Sequence, residues 1–393
     1  MAGFSEVVRS LMSERGVSVR GLAAQVRYDQ GGLSKVIAGR RRCPPNLARL
    51  IDDALNADGA VIAAAAAAPE PPTDAEHVRR ALEDALADGM IKDVLLSEWE
   101  DSTARYGYRT RDTPSSPLLA DIAADLAELR LAICRHRSAS ALPRLARTAA
   151  HMSGLVCLTL IKAGEHQSWR RWGRTARHAA VESADLSALA WATAQEAYGY
   201  YYAGDMPGAV ACSRSALGVS SSPSVGAVLA AALEMRAHAV MGDTPATMTA
   251  LRTAEQIHNQ LTGPELAASA FGYAESQLRY HVGDALTRLG DTTAALVELD
   301  RALELCGPED YTDWAMIRLD RAACMARDGD AESGLGYATE TLLALEEPKR
   351  QGIINGHGRE LVTALTPAQR SSRAAHDFRA LLEGAADMKG LPA

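Results

Sequence analysis

Apolar residues recur at every third or fourth position over most of this chain, the spacing of helices that bury one face. Phe4, Val7, Val8, Leu11 and Met12 keep that spacing until Gly16, which is placed to end the first helix. Ser18 is placed to cap a second helix, with Val19, Leu22, Ala23 and Val26 inward. Beyond the short turn Arg27–Tyr28, Asp29 caps a third, with Leu33, Val36 and Ile37 inward and Gly39 as its stop. Pro44 and Pro45 open a fourth, marked by Leu47, Leu50, Ile51 and Leu55. The second and third helices, joined by a tight turn, predict a helix-turn-helix unit.

Residues 56–72 then run through alanines into Pro69, Pro71 and Pro72, which reads as a domain boundary. Val78, Leu82, Leu86, Ile91 and Leu95 have helical spacing, Tyr106–Pro117 reads as a second break, and Leu118–Arg137 reads as a helix with Leu119, Ile122, Leu126, Leu129 and Ile133 on one stripe. From about residue 150 a Gly-acid step repeats: Gly164-Glu165, Gly204-Asp205, Gly242-Asp243, Gly290-Asp291 and Gly329-Asp330, at spacings of 40, 38, 48 and 39. Each step sits between two helical segments, with mostly small residues at fixed distances on either side, as two closely packed helices require. The longest spacing implies an insertion near Thr262–Tyr273. The expected division is a head over 1–65, a helical linker region over 66–140, and a repeat domain over 141–393.

Composition agrees with an all-α chain: Ala is abundant, aromatics are 5%, and β-branched residues are few. No apolar run has the length of a membrane span, and the N-terminus lacks the unbroken apolar stretch of a signal peptide. The six cysteines are scattered without a C-x-x-C pair, so they read as reduced thiols and no metal site or cofactor is expected. A cytoplasmic protein is expected, nucleoid-associated when bound to DNA. Charge is uneven. Residues 1–65 hold nine Lys and Arg against six acids, a balance of +3, which leaves −11 on the rest of a chain of net charge −8. A basic head on an acidic body suggests that the head meets a polyanion.

The stretch GVSVRGLAAQVRYDQGGLSKVIAGRRRCPPNLARLIDDAL resembles the lambda-repressor/Cro-like, or xenobiotic-response-element, helix-turn-helix regulators. Leu22-Ala23, Leu33-Ser34-Lys35-Val36, Gly39 and the basic run after it sit at that family's spacing. The resemblance implies that the third helix enters the major groove of double-stranded DNA. Its readers of base edges would be Gln30, Gly31, Gly32, Ser34 and Lys35. Ser18, Arg20, Arg27, Arg40, Arg41 and Arg42 would hold the backbone. The chain departs from the family at Val19, at Gly21, and at Gly31-Gly32, where two base-reading side chains are missing.

The body resembles tetratricopeptide repeats, in which a Gly turn joins helices A and B; GDTTAALVELDRALELCGPED is the nearest stretch. Its period is longer than that family's. The resemblance implies an α-solenoid whose A helices line a concave face for a peptide, small molecule or protein. Carried over by position, the effector-binding side chains would be His151, Trp191, Tyr198, Tyr201, Arg236, Gln277, Tyr280, Asp284 and Thr287, with Tyr202 and Arg288 one residue further along. The same rings can instead fill gaps between repeats, and the phase of Tyr200 points to the core. The basic WRRWGRTARH stretch (169–178) reads as the outer face of the first repeat or as a site for a carboxylate or phosphate.

No phosphate-binding loop, zinc-protease or serine-hydrolase motif occurs, so catalysis is not expected. The order of parts resembles actinobacterial-type regulators with repeat-containing sensor domains and, more distantly, Gram-positive peptide-pheromone receptors. It implies a homodimeric transcription regulator whose repeat domain takes an effector. The alternative is an interaction scaffold or anti-regulator with a head that does not bind DNA.

Overall fold

The computed structural model describes residues 4–26, 28–38, 43–67, 93–136, 138–165, 167–307, 309–350 and 352–387. Among them are twenty α-helices, two short 3-10 turns and no strand. No helix there is long and apolar enough to cross a membrane. The chain divides into two compact units, Met1–Met90 and Ile91–Ala393. The expected helix through Val78, Leu82, Leu86 and Ile91 falls outside the described residues, as do Gly39 and the prolines of the boundary.

The first unit contains α1 (Phe4–Glu14), α2 (Val19–Gln25), α3 (Gln30–Ile37), α4 (Pro45–Ala54) and α5 (Ala60–Ala67). Val8, Leu22, Leu33, Val36, Ile51, Leu55 and Val61 are fully buried and form one core. Ser18 Oγ accepts the Gly21 amide at 3.1 Å and Asp29 Oδ2 accepts the Gly32 amide at 2.6 Å, so both helices of the turn are capped by side chains. Asp52 is a buried acid whose carboxylate accepts the Gly59 and Val61 amides at 2.8 and 2.9 Å, tying α4 to the start of α5. Leu50 departs from the expected inward stripe: Leu47 and Ile51 occupy it, and Leu50 lies off to one side, 48% exposed.

The second unit opens with α6 (Asp93–Asp112) and α7 (Ser115–Arg135). Five hairpins follow: α8 (Ala141–Lys162) with α9 (Trp169–Ser183), α10 (Leu186–Tyr202) with α11 (Met206–Leu217), α12 (Val225–Val240) with α13 (Thr244–His258), α14 (Glu275–Leu289) with α15 (Thr292–Leu305), and α16 (Tyr311–Arg327) with α17 (Ala331–Ala344). The unit ends in α18 (Ile353–Ala364), α19 (Pro367–Arg370) and α20 (Arg373–Asp387). Each hairpin turns at one of the five Gly-acid steps. All five glycines are left-handed, with φ between +74° and +101°. Their amides bond three residues back and the following amide bonds five back, as in Gly204 to Tyr201 and Asp205 to Tyr200, both at 3.0 Å. Asp205, Asp243, Asp291 and Asp330 then cap the next helix through their carboxylates. The repeated dipeptide thus stops one helix and starts another. The stacked hairpins form an α-solenoid, with the A helices α10 and α12 buried almost all round.

The break expected over Tyr106–Pro117 is confined to two residues. Helix α6 runs through it to Asp112, and only Thr113 and Pro114 separate α6 from α7. Gly107 is a packing residue: a Cβ there would lie 2.6 Å from the Phe271 ring. Phe271 belongs to the insertion, a 3-10 turn at Gly263–Leu266 followed by a loop whose Ala270 amide bonds Gly107 O at 3.0 Å. The run of hairpins also bends round until Gly352, just before α18, meets the end of α8, where its Cβ would lie 1.7 Å from Lys162 O. Gly352 (φ +60°) is required there on both counts.

Candidate DNA interface and effector site

Helix α3 shows two faces. Leu33, Val36 and Ile37 are buried, whereas Gln30, Gly31, Ser34 and Lys35 are exposed and Gly32 is half-buried. Ser18 and Arg20 are exposed at the start of α2. Gln30 offers an amide that can pair with adenine, and Lys35 a cation that reaches guanine or phosphate. The Ser18 hydroxyl accepts the α2 cap bond and keeps its own proton to donate. Arg27, Arg40, Arg41 and Arg42 lie outside the described residues.

In the second unit most of the side chains expected on a concave face grip one another. Arg236 and Asp284 are wholly buried, with Nε 2.7 Å from Oδ2. Arg288 Nε takes the other oxygen of Asp284 at 3.0 Å, and Tyr201 donates its hydroxyl to Asp284 at 3.3 Å. The rings of Tyr201, Tyr280 and Tyr202 surround the Arg236 guanidinium at 4.4, 5.4 and 5.7 Å. Burial alone would raise the Asp284 carboxyl, but Arg236 and Arg288 hold it far below the usual range. Arg288 also reaches Glu360 at 2.9 Å. His357 lies between Glu360 (3.4 Å) and Asp320 (2.6 Å). Burial would discharge His357, but the two acids overrule it and raise its pKa to about 10. Asp284, Asp320 and His357 stand close enough to share a metal ion, but the chain's own cations engage them. Asp320, His357 and Glu360 were not among the sequence candidates.

The remaining candidates meet α6 and the insertion. Arg111 bonds Asp310, Asp313 (3.5 Å) and the side-chain oxygen of Gln277 (3.3 Å). Tyr198 and Gln277 line what is left of the groove there, a cavity of about 60 Å³. Trp191 donates its indole N–H to Ala270 O at 2.7 Å, and its ring packs on His151 and Phe271 at 5.4 and 4.9 Å. Burial lowers His151 to a pKa of about 4, so it is neutral. His151 and Trp191 share a cavity of about 400 Å³ with Arg147, Glu100 and Asp185. Tyr200 is half-buried, edge-on to Trp169 at 5.3 Å. In the 169–178 stretch Arg170 stacks over both of those rings.

A third cavity, of about 490 Å³, opens beside the closing contact at Gly352. Lys162, Lys349 and Tyr311 line it, and both lysine ammoniums lie over the Tyr311 ring, at 5.1 and 5.5 Å. Sequence reading passed over it because its walls come from four separated segments.

Residues 4–65 match the family model of a helix-turn-helix domain. No curated protein matches the chain.

Proposed function

We propose that this chain is a DNA-binding transcriptional regulator, acting by binding rather than catalysis, whose second unit dimerises, takes up a small-molecule or peptide effector, or does both, and so changes operator binding. The observation that carries this reading is the capped helix α3, which presents Gln30, Ser34 and Lys35 together on an exposed face behind a tight turn. Two heads in a dimer would set α3 into half-sites one helical turn apart, supplying the contacts that one small head lacks. A cytoplasmic location fits that role.

The test is retention of fragmented genomic DNA by the full chain, with sequencing of what is kept. A sharp motif is expected, lost in Gln30→Ala/Lys35→Ala. Arg20→Ala should weaken binding across all sequences and reduce the salt slope by about 1. Retention without any motif, or a motif unchanged in the double variant, would overturn base reading by α3.

A further inference from the structure

We propose that the cavity beside the closing contact binds a small amphiphilic anion: a carboxylate or phosphate monoester carrying a short apolar body. The inference rests on the regulator reading only in calling this anion the effector; the binding itself does not depend on it.

The cavity, about 490 Å³, falls within the size range of small-ligand sites. Two lysines line it, Lys162 and Lys349, and Lys162 borders the cavity of about 60 Å³ as well. Lys162 Nζ donates to Thr110 O, and no carboxylate among the described residues comes within ion-pair distance of it. Asp112 and Asp313 act on it only from farther away, and Asp313 is held by Arg111. Lys349 has Glu346 at 3.7 Å, but that carboxylate is 73% exposed and its pull is screened by water. Burial draws Lys162 down to a pKa of about 8, which leaves it mostly charged at neutral pH. A half-buried ammonium whose only hydrogen-bond partner is a backbone carbonyl has no ion-pair partner among the described residues, and an anion in the cavity would supply one.

A second donor set faces the same space. Helix α7 begins at Ser115 after Pro114, with no side chain capping it. Ser115 and Ser116 line the cavity at the positive end of this 21-residue helix. Among the described residues of the lining Glu165, exposed, is the acid, set against two lysines. Leu119, Leu160, Ile353 and Ile354 belong to the same lining, which is why the occupant needs an apolar body. By contrast, the His151–Trp191 cavity is balanced: Arg147 faces both Glu100 and Asp185. The ligand would touch the first hairpin at Lys162 and the start of α18 at Ile353. Occupancy would therefore strengthen the contact between the two ends of the solenoid.

The test is titration calorimetry on the full chain with hexanoate, hexyl phosphate, inorganic phosphate, hexanol and hexylamine. At least one of the two amphiphilic anions should bind, at least tenfold more tightly than hexanol, hexylamine or inorganic phosphate; which of the two binds tighter names the head group. Lys162→Met/Lys349→Met should weaken it at least tenfold. Ser116→Trp, which adds bulk to the lining and keeps both lysines, should do the same, with circular dichroism of both variants unchanged. Binding of neither anion, equal binding of hexanol, or binding undiminished in the folded double-lysine variant would overturn the proposal. Genomic DNA retention is run on the same samples. DNA retained without anion binding removes this site alone, and anion bound without DNA retention removes the regulator reading alone.

Discussion

Asp284→Asn tests the buried ionic knot of the second unit. The substitution keeps the shape and removes one charge. Arg236, with no exposed side-chain surface, would lose its counter-ion, and a guanidinium cannot shed its proton to escape. Asn has one acceptor oxygen where Arg236 and Arg288 now take two, and its amide would point N–H groups at one of them. Breaking one side of such a pair costs about 3–5 kcal/mol. Arg236→Met should cost less, because Asp284 keeps Arg288 and the Tyr201 hydroxyl. The double variant Arg236→Met/Asp284→Asn should cost less than the sum of the singles, with a coupling of about 2 kcal/mol. Urea unfolding followed by tryptophan fluorescence reads this unit alone, since Trp99, Trp169, Trp172, Trp191 and Trp314 all lie in it. With a slope of about 3 kcal/mol/M, Asp284→Asn should lower the midpoint by about 1–1.7 M. A shift below about 0.3 M at that slope, or strict additivity in the double variant, would refute the reasoning.

Three further outcomes are expected. Folding stability of the second unit should decline as pH rises from 6.5 toward about 10, because His357 is charged in the fold over a range where the unfolded chain has lost its proton; a flat profile, or one that His357→Gln leaves unchanged, would count against it. Gly226→Ala should destabilise by about 1–3 kcal/mol although Ala is the better helix former, because its Cβ would lie 2.3 Å from the Trp191 amide nitrogen; a gain in melting temperature would contradict that packing. Asp29→Ala should cost the first unit about 1 kcal/mol and speed hydrogen exchange at the Gly32 amide, whose cap bond it removes; unchanged exchange there would show the cap to be idle.

The helices were legible because their signals are local. Ser18, Asp29 and the five Gly-acid steps each act within a few residues, and the structure uses them as caps and turns. The concave phase was legible too: Arg236 and Asp284 both stand six residues before a turn glycine, in adjacent repeats. Opposite charges at equivalent positions were the available sign that they face each other rather than a ligand. What covers a face is a long-range matter. Arg111 and Gly107 looked like loop residues because Gly, Ser and Pro cluster nearby, and Phe271, which packs on Gly107, lies more than 150 positions away. His357 lies past the last Gly-acid step, so the repeat phase does not reach it, and Lys162 reads in sequence as an ordinary cation at a helix C-terminus.

The meeting of Gly352 with Lys162 O also bears on how this domain can evolve. An open stack of hairpins can be lengthened or shortened by duplication or deletion, since each unit touches only its neighbours. Here the contact holds only if the rotations of all the intervening hairpins add up to the right total. A chain with one hairpin more or fewer would carry α18 past α8 or leave it short. The repeat number is therefore a closed quantity, and variation among descendants should fall in outer helices and loops instead of in the count of hairpins.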